Sequence, residues 1–351
     1  MAFRLQFRRY RLPLRHPVRT AHEVWTERAG LLLRLEDEQG GVGWGEVAPI
    51  PAFGTETVDL AESACRELGE APSAETLDAI PAGLGCVRQA VVAARQDLAA
   101  GRSAEPAPLS GHSTPYRAVA ALLPAGKAGL TQIEPKAEIG FRVFKWKVGV
   151  EPVADELALL DDVCARLPSG AKLRLDANGA WNRRQAEQWL ERCAERPVEF
   201  LEQPCFAPAS AGEAACRRAD DTLRGLAADY PTPIALDESL VGDGDVERWL
   251  GMGWPGWFVV KPTLLGDTRH ALQRLEAVKA NVVFSSALET VVGARAALRT
   301  AFAWTGESKA LGFGVWPLFA DARFDGPAAA PYIRREDLAC LNPETVWSAL
   351  S

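Results

Sequence analysis

Five short apolar runs between Phe144 and Lys261 each end in residues able to do proton or metal chemistry. They are Phe144-Lys145-Trp146-Lys147, Leu173-Arg174-Leu175-Asp176-Ala177-Asn178, Phe200-Leu201-Glu202-Gln203-Pro204, Ile234-Ala235-Leu236-Asp237-Glu238-Ser239 and Phe258-Val259-Val260-Lys261-Pro262. Three clustered carboxylates, Asp176, Glu202 and Asp237, repel and raise one another's pKa unless a cation sits between them. A hard divalent ion taking oxygen ligands resolves this; Mg2+ is the usual occupant and Mn2+ an alternative. Such an ion can hold a substrate carboxylate and offset the dianion formed when the adjacent carbon loses its proton. A lysine whose pKa a neighbouring cation lowers is a usable base for that proton, and Lys145 is such a neighbour for Lys147.

Taken singly, none of these motifs is specific. A Lys-x-Lys pair is mostly a solvated surface feature, Asp-Ala-Asn is mostly a turn, and Lys261-Pro262 can simply stop a strand. Their order carries the reading, with one motif per strand over five consecutive strands.

Those strands belong to a longer alternation. Strand-like segments over 117–123, 143–148, 172–176, 198–202, 234–237, 257–261, 282–286 and 311–313 alternate with seven helical stretches. Eight such units imply a parallel sheet closed into an α/β barrel, whose active site lies at the C-terminal ends of its strands. No Gly-rich phosphate turn follows Leu123, which argues against a doubly wound open sheet. Side chains two apart on a strand share a face, so Lys145 and Lys147 point inward together, as do Arg174 and Asp176. The lysine pair falls on strand 2, the carboxylates on strands 3, 4 and 5, and Lys261 on strand 6.

Before the barrel, residues 1 to about 55 read as an antiparallel meander. Helical patterns over 57–68 and within 74–100 follow, an α+β signature. The Pro/Gly/Ser-rich stretch 101–115 is the best boundary. The expected organisation is a capping domain over 1–112, a catalytic barrel over 113–320, and a C-terminal segment over 321–351 that returns to the cap.

Composition narrows the class. The 351 residues are 48% hydrophobic and 24% charged, as in a soluble globular enzyme. A formal net charge of -7 gives no reason to expect nucleic acid as a partner, and no apolar run approaches the roughly 20 residues that span a bilayer. Six arginines in the first 19 residues raise a transit peptide, but Phe3, Leu5 and Phe7 alternate with polar residues as a strand does. Seven scattered cysteines without a C-x-x-C pair fit a reducing, cytoplasmic compartment. The four histidines show no metal spacing, so a metal here is held by oxygen. Oligomeric state is not readable, and Trp254, Trp257 and Trp304 suit barrel packing better than an interface.

The set Lys145-x-Lys147, Asp176-x-Asn178, Glu202-Gln203-Pro204, Asp237-Glu238-Ser239 and Lys261-Pro262 resembles the enolase superfamily, in its muconate-lactonising-enzyme-like branch. The resemblance spans nearly the whole chain and implies an N-terminal α+β cap before a (β/α)7β barrel. Within that branch, five stretches are similar to those of the o-succinylbenzoate synthases: Gly43-Trp44-Gly45-Glu46 through Thr57, Arg174-x-Asp176-x-Asn178, Ile234-Ala235-Leu236-Asp237-Glu238-Ser239, Val260-Lys261-Pro262-x-Leu264-x-Gly266, and Ser285-Ser286-Ala287-Leu288-Glu289. The likeness implies dehydration of 2-succinyl-6-hydroxy-2,4-cyclohexadiene-1-carboxylate to o-succinylbenzoate, on the route to menaquinone or phylloquinone, through a metal-stabilised enediolate. It implies that Lys147 abstracts the α-proton and returns it to the departing hydroxide, that Lys261 supplies charge from the opposite side, and that Asp176, Glu202 and Asp237 hold Mg2+. It places Lys145, Arg174 and Asn178 around the substrate carboxylate, and Ser285, Ser286 and the Gly312 backbone at the succinyl end. The last strand, Leu311 to Trp316, matches only loosely. The residues alone permit either lysine as base.

Two other readings stand beside this one. A racemase, dipeptide epimerase or cycloisomerase of the same superfamily shares the enediolate, and its two bases could be Lys147 and Lys261. A barrel that binds a metal or small acid without catalysis would keep its function in a Lys147→Ala variant.

Overall fold

The computed structural model describes residues 3–19, 24–102 and 115–350. An N-terminal antiparallel sheet comes first: β1 (Phe3–Arg19), β2 (Val24–Asp37) and β3 (Val42–Val47), in that order. Three helices cover it: α1 (Val58–Leu68), α2 (Ala74–Asp78) and α3 (Gly85–Arg102). Thr57 and Ser73 start α1 and α2 by accepting from backbone N–H groups three residues on. The helical pattern expected within 74–100 is thus two helices. Between them lie Pro81 and Gly83, residues that do not sustain a helix. The expected boundary falls largely on 103–114, outside the described residues, as do His22 and His112.

A second sheet carries seven parallel strands: β5 (Ala121–Leu123), β6 (Val143–Lys147), β7 (Lys172–Asp176), β8 (Val198–Glu202), β9 (Ile234–Leu236), β10 (Trp257–Val260) and β11 (Asn281–Phe284). Helices α4 (Leu130–Glu138), α5 (Val153–Arg166), α6 (Arg183–Cys193), α7 (Glu213–Asp229), α8 (Asp243–Gly251), α9 (Thr268–Ala277) and α10 (Val291–Ala303) alternate with them. The eighth stave is only Leu311-Gly312, which bridges Val119 on one side and Ser285 on the other. Those two bridges close the ring.

The structure corrects the expected first barrel strand, 117–123. Its opening residues form β4 (Tyr116–Ala118), paired antiparallel with β12 (Tyr332–Arg334), and only β5 joins the barrel. The reason lies in the backbone donors. Val119 N–H goes to the Pro331 carbonyl and Ala120 N–H to Leu311, so the strand changes partners between them.

Barrel strands are buried on both faces and read as continuous apolar runs, as in β10. Phe200, Ala235, Trp257, Val259 and Val283 fill the interior below the rim. A larger core lies between strands and helices, with Trp146, Trp189 and Trp249 fully buried. Burying each such ring contributes about 2–3 kcal/mol. Trp254 packs on Trp249, Trp257 on Phe200 and Trp304 on Phe284, so these rings are core packing. After the barrel the chain returns to the first sheet. Phe319 bridges Leu14, and Trp347 of α11 (Pro343–Ala349) packs on Trp44 and under the Arg8 guanidinium.

Candidate active site

The strand register sets the site. Lys147 lies opposite Asp176, and Asp176 opposite Glu202. Asp237 follows β9 directly, and Lys261 follows β10. Lysine pair, carboxylates and Lys261 thus take consecutive places on the rim, with Lys147 and Lys261 four strands apart and on opposite sides. A cavity of about 150 Å3 opens above them, lined on its charged side by Lys145, Lys147, Asp176, Asn178, Asp237 and Lys261.

The three carboxylates are 2%, 1% and 4% exposed, for Asp176, Glu202 and Asp237. Each faces a lysine ammonium. Lys145 Nζ lies 2.6 Å from Glu202 Oε1 and 3.0 Å from Asp176 Oδ2, while Lys261 Nζ pairs with Asp237 Oδ1. Burial works against the Lys145 charge, yet Asp176 and Glu202 hold its pKa above the usual lysine range. Burial also pushes Asp176 up, but the Lys145 and Lys147 charges prevail and bring it below its ordinary value. Glu202 stays raised, because burial and the Asp176 charge outweigh its lysines. Burial carries Lys261 down to about 7, against the pull of Glu202 and with the push of Lys145.

These donors fit a hard divalent cation: all are carboxylate oxygens, all are buried, and the chain already supplies positive charge among them. The ammonium groups stand between the acids, and among the described residues no three His, Cys, Asp or Glu side chains converge as a ready metal cluster.

Backbone and side-chain contacts fix the rim. Gln203 Oε1 accepts from the N–H of Asp237 (2.8 Å), and its Nε2 donates to Ser239 Oγ (2.8 Å), binding the end of β8 to the end of β9. Asn178 Oδ1 accepts from Lys147 at 2.8 Å, and Asn178 Nδ2 donates to Glu238 at 2.9 Å. Burial and the Asp176 charge push Glu238 up to about 8. Behind Lys147, the buried Glu156 accepts from the N–H groups of Gly149 (2.8 Å), Val150 and Glu151 (3.1 Å each), which fixes the turn out of β6. Gly149 itself sits at φ 79°, and a Cβ there would meet Ala180 Cβ at 2.6 Å.

Ser285, Ser286 and Gly312 also line the cavity. Ser285 Oγ donates to the Gly312 carbonyl at 3.2 Å, and a side chain at position 312 would run into that hydroxyl. Glu202, buried against Lys145, is not among the cavity-lining residues, and neither is Arg174. Arg174 points inward, as expected, but a layer deeper. There it pairs with Glu199 (2.6 Å), donates to the Ala310 carbonyl (2.7 Å) and lies over the Phe200 ring. Sequence reasoning missed part of the apolar wall. Val18, Trp25, Ile50 and Phe53 reach the cavity from the N-terminal part, and Phe53 sits 5.3 Å from Lys261 Nζ. Ile50 and Phe53 lie in a recognisable motif; nothing in the spacing of Val18 or Trp25 marks them.

Residues 131–330 match the family model described as enolase C-terminal domain-like, and residues 3–98 match that of the MenC N-terminal domain. The o-succinylbenzoate synthase of Thermosynechococcus vestitus is 40% identical over 321 residues, covering 89% of this chain and 92% of that protein. That of Edwardsiella ictaluri is 32% identical over 84% of this chain and 85% of its own length. The crystal structure of the Thermosynechococcus elongatus synthase, with magnesium in its active site, superposes with a TM-score of 0.79 at 36% identity and 99% coverage of both chains. The L-Ala-D/L-Glu epimerase of Bacillus subtilis shares the fold, with a TM-score of 0.81 at 21% identity over 94% of this chain and 95% of its own. Cap and barrel match together, and the chain belongs to the enolase superfamily and, within it, to the o-succinylbenzoate synthase family.

Proposed function

We propose that this protein dehydrates 2-succinyl-6-hydroxy-2,4-cyclohexadiene-1-carboxylate to o-succinylbenzoate, as its relatives' name indicates. The supporting observation is the placement of Lys147 and Lys261 on opposite sides of one cavity, above three carboxylates on adjacent strands. Asp176, Glu202 and Asp237 are the residues that would hold Mg2+, the ion present in the related crystal structure. Magnesium, when bound, offsets the substrate's carboxylate charge and the further negative charge that develops as the proton leaves.

In this reading Lys147, as the neutral amine, takes the proton from the carbon next to the carboxylate. The bond from the ring to the hydroxyl oxygen then breaks, and the Lys147 ammonium gives its proton to the departing hydroxide, releasing water. Lys261 faces the developing anion from the other side and contributes charge. Asn178 orients Lys147 through its hydrogen bond. Lys145 keeps Asp176 and Glu202 in register. Ser285, Ser286 and the Gly312 backbone meet the succinyl end, and the apolar residues of the N-terminal part exclude water. Arg174 supports from below. The partner is a small-molecule carboxylate. Among the described residues no helix is long and apolar enough to cross a membrane, and the free cysteines fit a cytoplasmic setting.

The test is direct. Purified protein with Mg2+ and the cyclohexadiene substrate should remove the diene absorbance. A second reading, proton transfer between two faces in a racemase, draws on the same facing lysines. No dehydration, alongside racemisation of an N-acyl amino acid, decides for it.

A further inference from the structure

Ser285, Ser286, Ala287 and Leu288 form one wall of the cavity, and residues that do not line it hold them from behind. Glu46, in β3, is buried and reaches across to the barrel. Its carboxylate accepts from the Thr290 N–H (2.9 and 3.1 Å), the Thr290 hydroxyl (2.6 Å), the Gly293 N–H (2.8 Å) and the Tyr10 hydroxyl (2.6 Å). Thr290 is the N-cap of α10, and its hydroxyl accepts from the Val292 N–H at 3.3 Å. The first N–H groups of a helix have no acceptor within it, so a carboxylate placed there fixes where the helix begins. In this chain that carboxylate comes from a separate sheet.

The wall is anchored to that helix start. Glu289, also buried, accepts from the Ser286 hydroxyl (3.1 Å) and from the Ala287 N–H. Its other oxygen has no hydrogen-bond partner, and burial, reinforced by the Glu46 charge, pushes the carboxyl up to about 7. Ser286 Oγ accepts from the Leu288 N–H at 2.9 Å, and Leu288 sits in the left-handed region at φ 59°. A branched residue stays there only when its surroundings demand it. Arg28 of β2 adds to the demand by donating to the Ala287 and Leu288 carbonyls, each at 3.3 Å. A Cβ on Gly293 would lie 2.8 Å from Glu289 Cβ and 3.0 Å from Glu46 Oε2, so nothing here is loosely packed.

We propose that Glu46 is a positioning residue for the dehydration: by capping α10 from the neighbouring sheet it sets, with Glu289, where Ser285, Ser286 and Leu288 stand against the substrate. The inference rests on the dehydration reading only for its kinetic readout.

A second clasp between the same parts provides the control. Asp97 of α3 pairs with Arg295 (3.1 Å) and Arg299 farther along α10, away from the wall. The Mg2+-loaded full chain is compared with Glu46→Ala, Glu46→Gln and Asp97→Asn for KM, kcat, melting temperature and amide exchange over 285–293. Glu46→Ala should raise KM between roughly 10- and 100-fold, the range a displaced contact costs, and speed exchange over 285–293. Glu46→Gln, whose amide oxygen still accepts, should fall between it and wild type, and it carries the test if the alanine variant does not fold. Asp97→Asn should lower the melting temperature and leave KM unchanged. Wild-type KM and exchange in the folded Glu46 variants would overturn the inference, as would an equal KM rise in Asp97→Asn. A wild-type protein without turnover means the dehydration reading has failed; exchange over 285–293 then decides alone.

Discussion

Lys147 donates to Asn178 at 2.8 Å, and Asn178 accepts that bond from a left-handed backbone position, φ 46°. Asparagine tolerates this region better than most residues. The Asp-x-Asn spacing therefore does two jobs at once. Asp176 faces the lysine ammonium groups, and two residues later the chain turns back so that Asn178 can hold the neighbouring strand's terminal lysine.

Replacing that lysine should separate chemistry from binding. Lys147→Ala is expected to lower kcat by at least about 10²–10⁴-fold, the worth of a positioned acid or base. Asp176, Glu202 and Asp237 pair with Lys145 and Lys261 instead, so calorimetry should still show Mg2+ binding. Undiminished turnover would show that Lys147 is not the base.

Removal of the divalent ion should abolish turnover while leaving the fold intact, because Lys145 and Lys261 keep positive charge beside the three acids. Adding Mg2+ at 100 times its Kd should then raise stability by about 2.7 kcal/mol, read as a higher Tm. A chelated protein without a cooperative melting transition would contradict this.

Glu289 predicts a pH effect on stability. Its carboxyl titrates at about 7 in the folded chain against an ordinary 4.5, so the folded state holds the proton more tightly. The associated stability is complete below about pH 4.5 and lost as pH rises through 7. Glu289→Gln keeps an acceptor for Ser286 and Ala287 but cannot ionise. Between pH 4 and pH 8, urea unfolding should show the variant gaining up to about 3 kcal/mol on wild type. Parallel pH profiles for the two proteins would refute it.

Glu156 offers a test away from the cavity. Glu156→Ala strips one acceptor from three N–H groups in the turn behind Lys147. The expected loss is on the order of 3 kcal/mol in denaturant unfolding. A change below about 0.5 kcal/mol, typical of a surface substitution, would mean water replaces it.

The rim was legible in the sequence because five consecutive barrel strands are short, mostly apolar runs, each with a lysine or carboxylate at its end. Lys147, Asp176, Glu202, Asp237 and Lys261 all stand at such ends. Arg174 shows the limit of a two-residue period. It correctly points Arg174 inward, but the step from Asp176 is about 6.6 Å along the strand, which moves the guanidinium from the cavity into the layer beneath. Val18 and Trp25 were illegible for another reason: they line the site only because the end of the β1–β2 pair at which they lie opposite each other reaches the cavity, and that placement is a product of packing. Glu46 and Glu289 lay inside quoted motifs, yet an acid's role as a helix cap from another sheet depends on a contact spanning 244 residues.

The two-residue eighth stave gives the ring an uneven seam. The junctions β5–β6, β6–β7, β7–β8 and β10–β11 each register at least three residue pairs and those of β9 two, whereas Leu311 and Gly312 hang on single backbone bonds to Ala118, Ala120, Phe284 and Ser286. The same two residues touch the wall proposed to meet the substrate. The barrel is therefore a hoop closed by a latch, and the latch sits at the binding cavity. The amides of this latch are expected to exchange early, and a ligand resting against Gly312, as proposed, would be the pin that keeps it shut.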